Sequence, residues 1–320
     1  MEEESVKVFY SDHFVLPLPK GHRFPMEKYS MLRERVERSG ICKNGELRAP
    51  HAVTDEEILR AHNPGYLEKV VAGTLTDQEM RRIGFPWSQR MVERSRRASG
   101  GTLDAARIAL SEGIATNLAG GTHHAFADRG EGFCVLNDSA IAARTLLAEG
   151  LVEKVVVLDT DVHQGNGTAA IVRGDARVFT FSIHGAKNYP FHKEESDLDA
   201  PLPDGASDDA FLLALGERLE RVLDLEDWNL AIFLAGADPF EGDKLGRLRV
   251  TKSGLAERDR MVLEGCRERD IPVAVTMAGG YAREVEDTVD IHFQTVKRAS
   301  DVLRAERGAL RGRWRASWAG

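Results

Sequence analysis

The sequence predicts an α/β fold in which one parallel sheet is covered by helices on both faces. Short apolar runs of strand-forming residues, such as 155–158 and 230–234, alternate with helical segments along the chain. No repeat, low-complexity segment or linker divides the chain, so we expect a single domain over residues 1–320. With 320 residues, 42% of them hydrophobic, the chain is long enough to bury a large core.

Composition excludes several functional classes. The formal net charge of −8 argues against a general nucleic-acid binder, which usually has a basic surface. The three cysteines are few and widely spaced, which indicates a reducing compartment and neither a disulfide framework nor a thiolate zinc cluster. The first residues are acidic and show no signal peptide, and no apolar run is long enough for a membrane span. We therefore expect a cytoplasmic protein without nucleic-acid or membrane partners.

The first third of the chain is predicted to contain one strand followed by helices. Thr54 and Glu57 have the spacing of a capping box at the start of the second helix. In the less regular segment 80–90, Phe85 and Trp87 belong either to a rim loop over a pocket or to a loop packed on the core. The predicted strand is 6–10 and the predicted helices are 27–40, 54–61 and 66–73.

The rest of the chain alternates between strands and helices. Gly100 and Gly101 are expected to open a helix, and Thr168 is expected to cap one that starts at Ala169. The tail 304–320 is arginine-rich and is expected to be a solvated or docked terminus. The predicted strands are 114–118, 155–158, 178–183, 230–234 and 272–277, and the other predicted helices are 99–112, 139–149, 209–223, 253–269 and 283–303, with a loop over 185–209.

The segment 155–171 is the most informative stretch of the sequence. Its apolar strand is followed by Asp159, Asp161 and His163 at alternate positions, which an extended backbone would place on one side. Functional groups in parallel α/β sheets gather at the carboxyl ends of strands, and two carboxylates with an imidazole are typical metal ligands. The alternative is a polar strand end followed by a capped helix.

Polar side chains also follow three other predicted strands. A divalent metal held by two carboxylates and one imidazole keeps a coordination position open, as catalytic sites do. A histidine beside it would act as a general base and a tyrosine hydroxyl would stabilise an oxyanion, which together suit amide or ester hydrolysis. The four strand ends carry His123 and His124, Asp161 and His163, Asp238, and Tyr281.

Five motifs occur in an order that resembles the histone deacetylase family. They are GGTHHA, GFCVLND, DTDVHQGNGT, AGADPFEGD and GGY. The family includes acetoin-utilisation proteins and acetylpolyamine amidohydrolases, and the resemblance covers nearly the whole chain. HQGNG, the Tyr189-Pro190 pair and the segment 241–248 are most similar to the class IV branch. The resemblance implies an arginase-like fold with a central parallel sheet of about eight strands.

The resemblance also implies a set of catalytic residues. His124 matches the family's general base and acid, and Asn166 is the residue that contacts it. His123 matches the neighbouring electrostatic histidine, with Asp159 as its partner, and Tyr281 matches the oxyanion donor. The implied zinc ligands, which would accept iron(II) as well, are Asp161, His163 and Asp238.

A substrate tunnel and a second ion site follow from the same resemblance. Phe133 and Tyr189 match its aromatic walls, with Gly132 and Gly280 beside them. Arg23 matches an arginine that lines the internal cavity behind the metal. The implied structural potassium ligands are Asp159 and Ser182.

These residues allow three functional interpretations. The first is a zinc-dependent deacylase of acyl-lysine in proteins or peptides, the second a deacetylase of small acylated amines, and the third an inactive acyl-lysine-binding protein. Gln164, Asn166 and Tyr189 depart from the class I pattern of the family and leave acyl preference and pH optimum open. The oligomeric state is not predictable from the sequence.

Overall fold

Eight parallel strands form the central sheet of the protein, for which we use a computed structural model that describes residues 5–43 and 45–317, with side chains to residue 305. Their order across the sheet is β2-β1-β3-β8-β7-β4-β5-β6. This confirms the predicted fold class and strand number. The strands are β1 (Lys7–Phe9), β2 (Leu47–Arg48), β3 (Ile114–Asn117), β4 (Val155–Asp159), β5 (Val178–Gly185), β6 (Leu198–Leu202), β7 (Leu230–Leu234) and β8 (Val273–Thr276).

Helices cover both faces of this sheet. They are α1 (Glu27–Ser39), α2 (Asp55–Leu59), α3 (Pro64–Ala72), α4 (Asp77–Ile83), α5 (Gln89–Glu112), α6 (Asp138–Ala148), α7 (Asn166–Val172), α8 (Asp208–Leu223), α9 (Lys252–Glu268) and α10 (Val285–Ser317). None of the helices in the described part of the chain is long and apolar enough to cross a membrane.

Two hydrophobic cores lie on opposite faces of the sheet. Val156 and Leu158 belong to the core shared with α1, α8, α9 and α10, whereas Val155 and Val157 belong to the core shared with the helices from α2 to α6. This alternation follows from the two-residue period of a strand. Because both faces are buried, β4 and β7 are apolar along their length, and Asp159 is at the carboxyl end of β4.

The helix α5 begins ten residues before its predicted start. Ser88 is the N-cap, and its side chain accepts a hydrogen bond from the backbone of Met91. The predicted opening at Gly100 is therefore wrong: this glycine lies inside the helix, where an added Cβ would be 1.9 Å from the carbonyl oxygen of His51. Close packing against that backbone, and not a helix start, requires the glycine.

Four shorter elements also differ from the prediction. The segment predicted as a loop contains β6, an edge strand whose Asp199 and Pro201 interrupt the apolar pattern of a strand. The short β2 and α4 were not predicted, and α7 begins at Asn166, so that Thr168 lies within the helix. The capping box of α2 is confirmed. Helix α10 extends into the tail predicted from residue 304, while residues 318–320 lie outside the described residues.

Candidate active site

A cavity of about 440 Å³ opens at the carboxyl ends of the four central strands. The loops that follow β3, β8, β7 and β4 supply its floor, and these strands are consecutive in the sheet. That adjacency brings the four predicted strand ends together. The lining includes His123, His124, Asp161, His163, Asp238 and Tyr281.

Asp161, His163 and Asp238 form a buried cluster at the bottom of the cavity. Each offers one ligand atom, and these atoms all lie within 4.8 Å of one another. Nδ1 of His163 faces both carboxylates, 2.9 Å from Oδ1 of Asp161 and 3.2 Å from Oδ2 of Asp238. The structure therefore brings together the three residues predicted as metal ligands.

Backbone groups from neighbouring loops orient the two carboxylates. Asp161 accepts hydrogen bonds from the backbone N–H of His163 and of Gly279, at 2.9 and 2.8 Å. Oδ1 of Asp238 accepts one from Val162 at 2.9 Å. Each carboxylate is thus held by a loop from a different strand, as supporting hydrogen bonds do around metal ligands.

The chemistry of this cluster fits a divalent cation. Oδ2 of Asp238 is buried and accepts no well-aligned hydrogen bond from any described group, because the His163 Nδ1 that approaches it at 3.2 Å is shared with Asp161, although buried polar atoms are normally paired. Burial and the nearby Asp161 raise the pKa of Asp238 to about 7. Burial alone would lower the pKa of His163, but the two carboxylates outweigh it and raise that pKa to about 10. A bound cation would relieve this repulsion and displace the His163 proton.

The two adjacent histidines have different partners. Nδ1 of His123 lies 2.6 Å from Oδ2 of Asp159, and Nδ1 of His124 lies 2.7 Å from Oδ1 of Asn166. Burial alone would lower the pKa of His123, but the charges of Asp159 and Asp161 raise it to about 9. Burial, with the positive charges of neighbouring histidines, holds the pKa of His124 well below its usual value. The surroundings therefore favour the charged form of His123 and the neutral form of His124.

Glu131 extends the hydrogen-bonded chain behind His124 and was not identified from the sequence. Its Oε1 accepts hydrogen bonds from Nδ2 of Asn166 at 3.0 Å and from the hydroxyl of Tyr189 at 2.8 Å. These contacts orient the Asn166 amide so that its oxygen faces His124. The only sequence signal was the position of Glu131 immediately before Gly132 in the GFCVLND segment.

Aromatic side chains form the walls of the cavity. Phe133 packs against Phe24 and Phe85 with ring centroids 5.3 and 5.4 Å apart, and Tyr189 meets the ring of His124 edge-on at 4.9 Å. Gly132 has a φ of +57°, and a Cβ on it would lie 2.6 Å from the His124 ring. The predicted tunnel residues Phe133, Tyr189 and Gly132 therefore all line the cavity.

Segment 80–90 was predicted to be either a rim loop over a pocket or a loop packed on the core, and its aromatic residues are packed on the core. Phe85 is buried, and the indole N–H of Trp87 donates to the carbonyl of Val70 at 2.8 Å. The residues of this segment that line the cavity are Arg81, Arg82, Ile83 and Gly84.

Tyr281 lies in the cavity wall next to the ring of Phe133, with centroids 5.9 Å apart. Burial and the negative charge of Asp238 raise the pKa of Tyr281 well above its usual value, so its hydroxyl stays protonated. Gly280 is not among the cavity-lining residues, and its carbonyl accepts a hydrogen bond from the buried Lys28 at 3.2 Å. Arg23 is exposed and lies against the cavity, not in the interior behind the carboxylate cluster.

The predicted potassium residues are neighbours in the sheet but are already engaged. Asp159 of β4 is in register with Ser182 of β5. Asp159 uses one oxygen for His123 and the other for the backbone N–H of Asp161, and the Ser182 hydroxyl lies 3.0 Å from Nδ1 of His184. Potassium binding there stays a prediction.

Comparison with known sequences places this geometry in a family. The family model described as histone deacetylase domain matches residues 22–296. An uncharacterized protein of Picosynechococcus sp. is 43% identical over 295 residues, covering 92% of this chain and 98% of its own length. Histone deacetylase 2 of Arabidopsis thaliana is 28% identical, covering 89% of this chain and 78% of that protein. Human histone deacetylase 1 is 25% identical, and the match spans 58% of its length.

Solved structures show the same fold. The crystal structure of an HDAC homolog from Aquifex aeolicus superposes with a TM-score of 0.81 at 23% identity, covering 93% of this chain and 84% of that one. The HDA15 HD domain superposes with a TM-score of 0.74 at 20% identity, covering 95% of this chain and all of that one. At these identities the likeness concerns the fold alone.

Proposed function

Because the chain belongs to the histone deacetylase family and is a hydrolase of the deacetylase type, we propose that it removes the acyl group from acyl-lysine side chains of proteins or peptides. The observation that carries this proposal is the neutral His124 beside a buried cluster of two carboxylates and an imidazole, at the end of an aromatic cavity. An acylated lysine has lost its charge, so its stem suits such a cavity.

Asp161, His163 and Asp238 would hold the metal, which we propose to be zinc, with iron(II) as the alternative that the same ligands accept. When bound, the ion supplies Lewis-acid polarisation of the scissile carbonyl and acidifies water. The buried Asp238 oxygen that lacks a well-aligned hydrogen bond, and the mutual repulsion of the carboxylates, support this assignment.

His124 is proposed to move the proton. Its Nδ1 is occupied by Asn166, which leaves Nε2 free to accept a proton from the attacking water. The low pKa keeps this nitrogen deprotonated near neutral pH. The same nitrogen then gives the proton to the leaving amine, and such general acid–base catalysis contributes roughly 10²–10⁴-fold.

His123 and Tyr281 are proposed to stabilise the negative charge that develops on the carbonyl oxygen. Asp159 keeps His123 in its charged form, and the high pKa of Tyr281 keeps its hydroxyl available as a donor. Donors held in place before the reaction cost no reorganisation during it. An inactive acyl-lysine-binding protein would not need these groups in their catalytic protonation states, so we favour an enzyme.

Two features of the substrate are proposed separately: the length of the acyl chain, and whether the acylated amine belongs to a polypeptide or to a small molecule. The class IV resemblance favours tolerance of long acyl chains. The cavity of about 440 Å³ does not by itself favour them, because it lies at the low end of typical ligand pockets. A small acylated amine such as acetylputrescine is the alternative substrate.

A single assay series tests the proposal. Metal-loaded protein is incubated with acetyl-, octanoyl- and myristoyl-lysine peptides and with acetylputrescine, with and without a chelator, and the released acid is quantified. We expect chelator-sensitive hydrolysis of at least one peptide, with the myristoyl peptide cleaved at a rate comparable to the acetyl peptide. Activity confined to acetylputrescine would contradict the protein substrate, and no activity on any of these compounds would contradict the enzyme.

A further inference from the structure

Five cations lie around the mouth of the cavity, although the protein as a whole has a net charge of −8. The only carboxylates that line the cavity within the described chain are Asp161 and Asp238, the two proposed metal ligands on its floor. A mouth of one charge sign focuses the electrostatic field and selects ligands of the opposite sign. The five cations, all of them exposed, are Arg23, Arg81, Arg82, Lys187 and Arg247.

These cations lie beside both aromatic walls of the cavity. The backbone carbonyl of Arg82 accepts a hydrogen bond from Gly132 at 3.1 Å, and Arg23 precedes Phe24, whose ring packs on Phe133. On the other side, Lys187 and Arg247 flank the contact between Asn188 and Leu245, next to Tyr189. A polypeptide that inserts a lysine between the walls would therefore have cations on both sides.

Most of this positive charge is uncompensated. Lys187 and Arg247 share the single carboxylate of Asp204, at 4.0 and 3.3 Å. Among the described residues, no ion pair involves Arg81, Arg82 or Arg23. Three exposed arginines without a carboxylate partner among the described residues therefore line one opening, together with Lys187 and Arg247.

We propose that the polypeptide substrate carries acidic residues on either side of its acylated lysine. This inference rests on the proposed function and narrows it, because a strongly basic tail would be repelled from the mouth. An acidic polypeptide is favoured over an anionic membrane because Phe191, 80% exposed, is the only large hydrophobic side chain exposed among the described lining residues. One such residue is less apolar surface than interfacial binding requires.

The test compares acyl-lysine peptides that differ only in the charge of the residues flanking the lysine: two aspartates, two serines or two arginines. We expect kcat/KM for the acidic peptide to exceed that for the basic peptide by about tenfold or more, mainly through KM, since the cations act outside the reacting atoms. The ratio should shrink when NaCl is raised from about 50 mM to about 500 mM, because exposed charges are screened.

Reversing the charge of two of the five cations tests whether they cause the preference for acidic peptides. In Arg81→Glu/Arg82→Glu the preference should fall at least fivefold, while Arg81→Gln/Arg82→Gln should give an intermediate ratio. The matched control is Arg221→Glu, which also replaces an exposed arginine in the last turn of a helix but lies outside the cavity. Arg221→Glu should keep the wild-type ratio, and melting temperatures identify variants that fold poorly.

A binding measurement separates this inference from the proposed function. Fluorescence polarisation with the same peptides, labelled, reports the charge preference without turnover. Tighter binding of the acidic peptide without hydrolysis would support the charge inference and contradict the deacylase. Equal binding of the three peptides would overturn the inference even if all are hydrolysed. Phosphatidylserine vesicles and free Nε-acyl-lysine are included as competitors. Binding restricted to the vesicles, or a preference for free Nε-acyl-lysine over every peptide, would also overturn the inference.

Discussion

His124 shows how much of the proposed chemistry is decided at single residues. Its proposed function as a base depends on Asn166, which leaves Nε2 free, and the orientation of the Asn166 amide depends in turn on Glu131. The Glu131 carboxylate is thus linked to His124 through the Asn166 amide. If residue 166 were aspartate, a carboxylate would contact the histidine directly. The carboxylate of Glu131 orients the Asn166 amide, and that amide is the hydrogen-bond partner of His124.

Tyr281→Phe tests the proposed oxyanion donor. Loss of the hydroxyl should lower kcat by about 10²–10³-fold, because one preorganised donor is removed from the transition state. Metal content and melting temperature should stay close to those of the wild type. The control is Tyr10→Phe, whose half-buried ring lies outside the cavity and whose turnover should be unchanged. Near-normal turnover in Tyr281→Phe would exclude the hydroxyl as the donor.

Asn166→Asp tests how residue 166 tunes the base. A carboxylate beside His124 favours the imidazolium and raises the pKa of the base. The base must be deprotonated to act, so the acidic limb of the kcat/KM profile should move to higher pH. The structure adds a condition: the new carboxylate would lie about where Nδ2 now donates to Glu131, 3.0 Å away. Two carboxylates that close share a proton, which would weaken the shift.

The pH series therefore also needs a variant in which residue 131 is not a carboxylate. Asn166→Asp combined with Glu131→Gln removes the competing carboxylate and should show the larger shift, with Glu131→Gln alone as the control. Metal occupancy is kept equal, because metal-activated water titrates with the histidine. An acidic limb that moves to lower pH, or does not move in the double variant, would show that residue 166 does not tune the base.

At the scale of elements, the site depends on how closely the strand ends approach one another. Gly236 follows β7 and Gly279 follows β8, and a Cβ on either would come within 2.6 Å of a carboxylate oxygen of Asp161. The glycines allow three loops to converge on one point without side chains between them. Their role is spacing, since neither has a positive φ.

Gly279→Ala should empty the metal site without unfolding the protein. The new Cβ would lie 2.0 Å from Oδ2 of Asp238, the oxygen that has no hydrogen-bond partner, so the carboxylate must move. Elemental analysis should show metal content reduced by more than half. The matched control is Gly65→Ala in α3, where a Cβ meets nothing within 4 Å. Full metal content in Gly279→Ala would contradict the proposed ligand geometry.

At the scale of the whole molecule, the buried carboxylates would couple the proposed metal binding to stability. A ligand that binds only the folded state stabilises it by about 2.7 kcal/mol at 100 times its Kd. A chelator should therefore lower the melting temperature of the wild type. Asp161→Ala and Asp238→Ala should lose both the metal and this chelator effect, while exposed Asp301→Ala should keep both. Wild-type metal content in both ligand variants would overturn the assignment.

The sequence by itself determined the fold class, the family and the polar side chains that meet at the floor of the cavity. Parallel strands buried on both faces are apolar along their length, and their polar ends stand out as motifs. The convergence of Asp161, His163 and Asp238 was predictable because such strand ends share one edge of the sheet.

Only the tertiary structure decided the features that depend on long-range contacts. Gly100 lies within a helix because a distant backbone packs on it, and β6 is a strand because β5 pairs with it. Glu131 became relevant through hydrogen bonds to residues 35 and 58 positions away. Arg23 and Arg82 are far apart in sequence yet share one opening. Local patterns record burial and turns, whereas side-chain partners across the fold are fixed only when the chain packs.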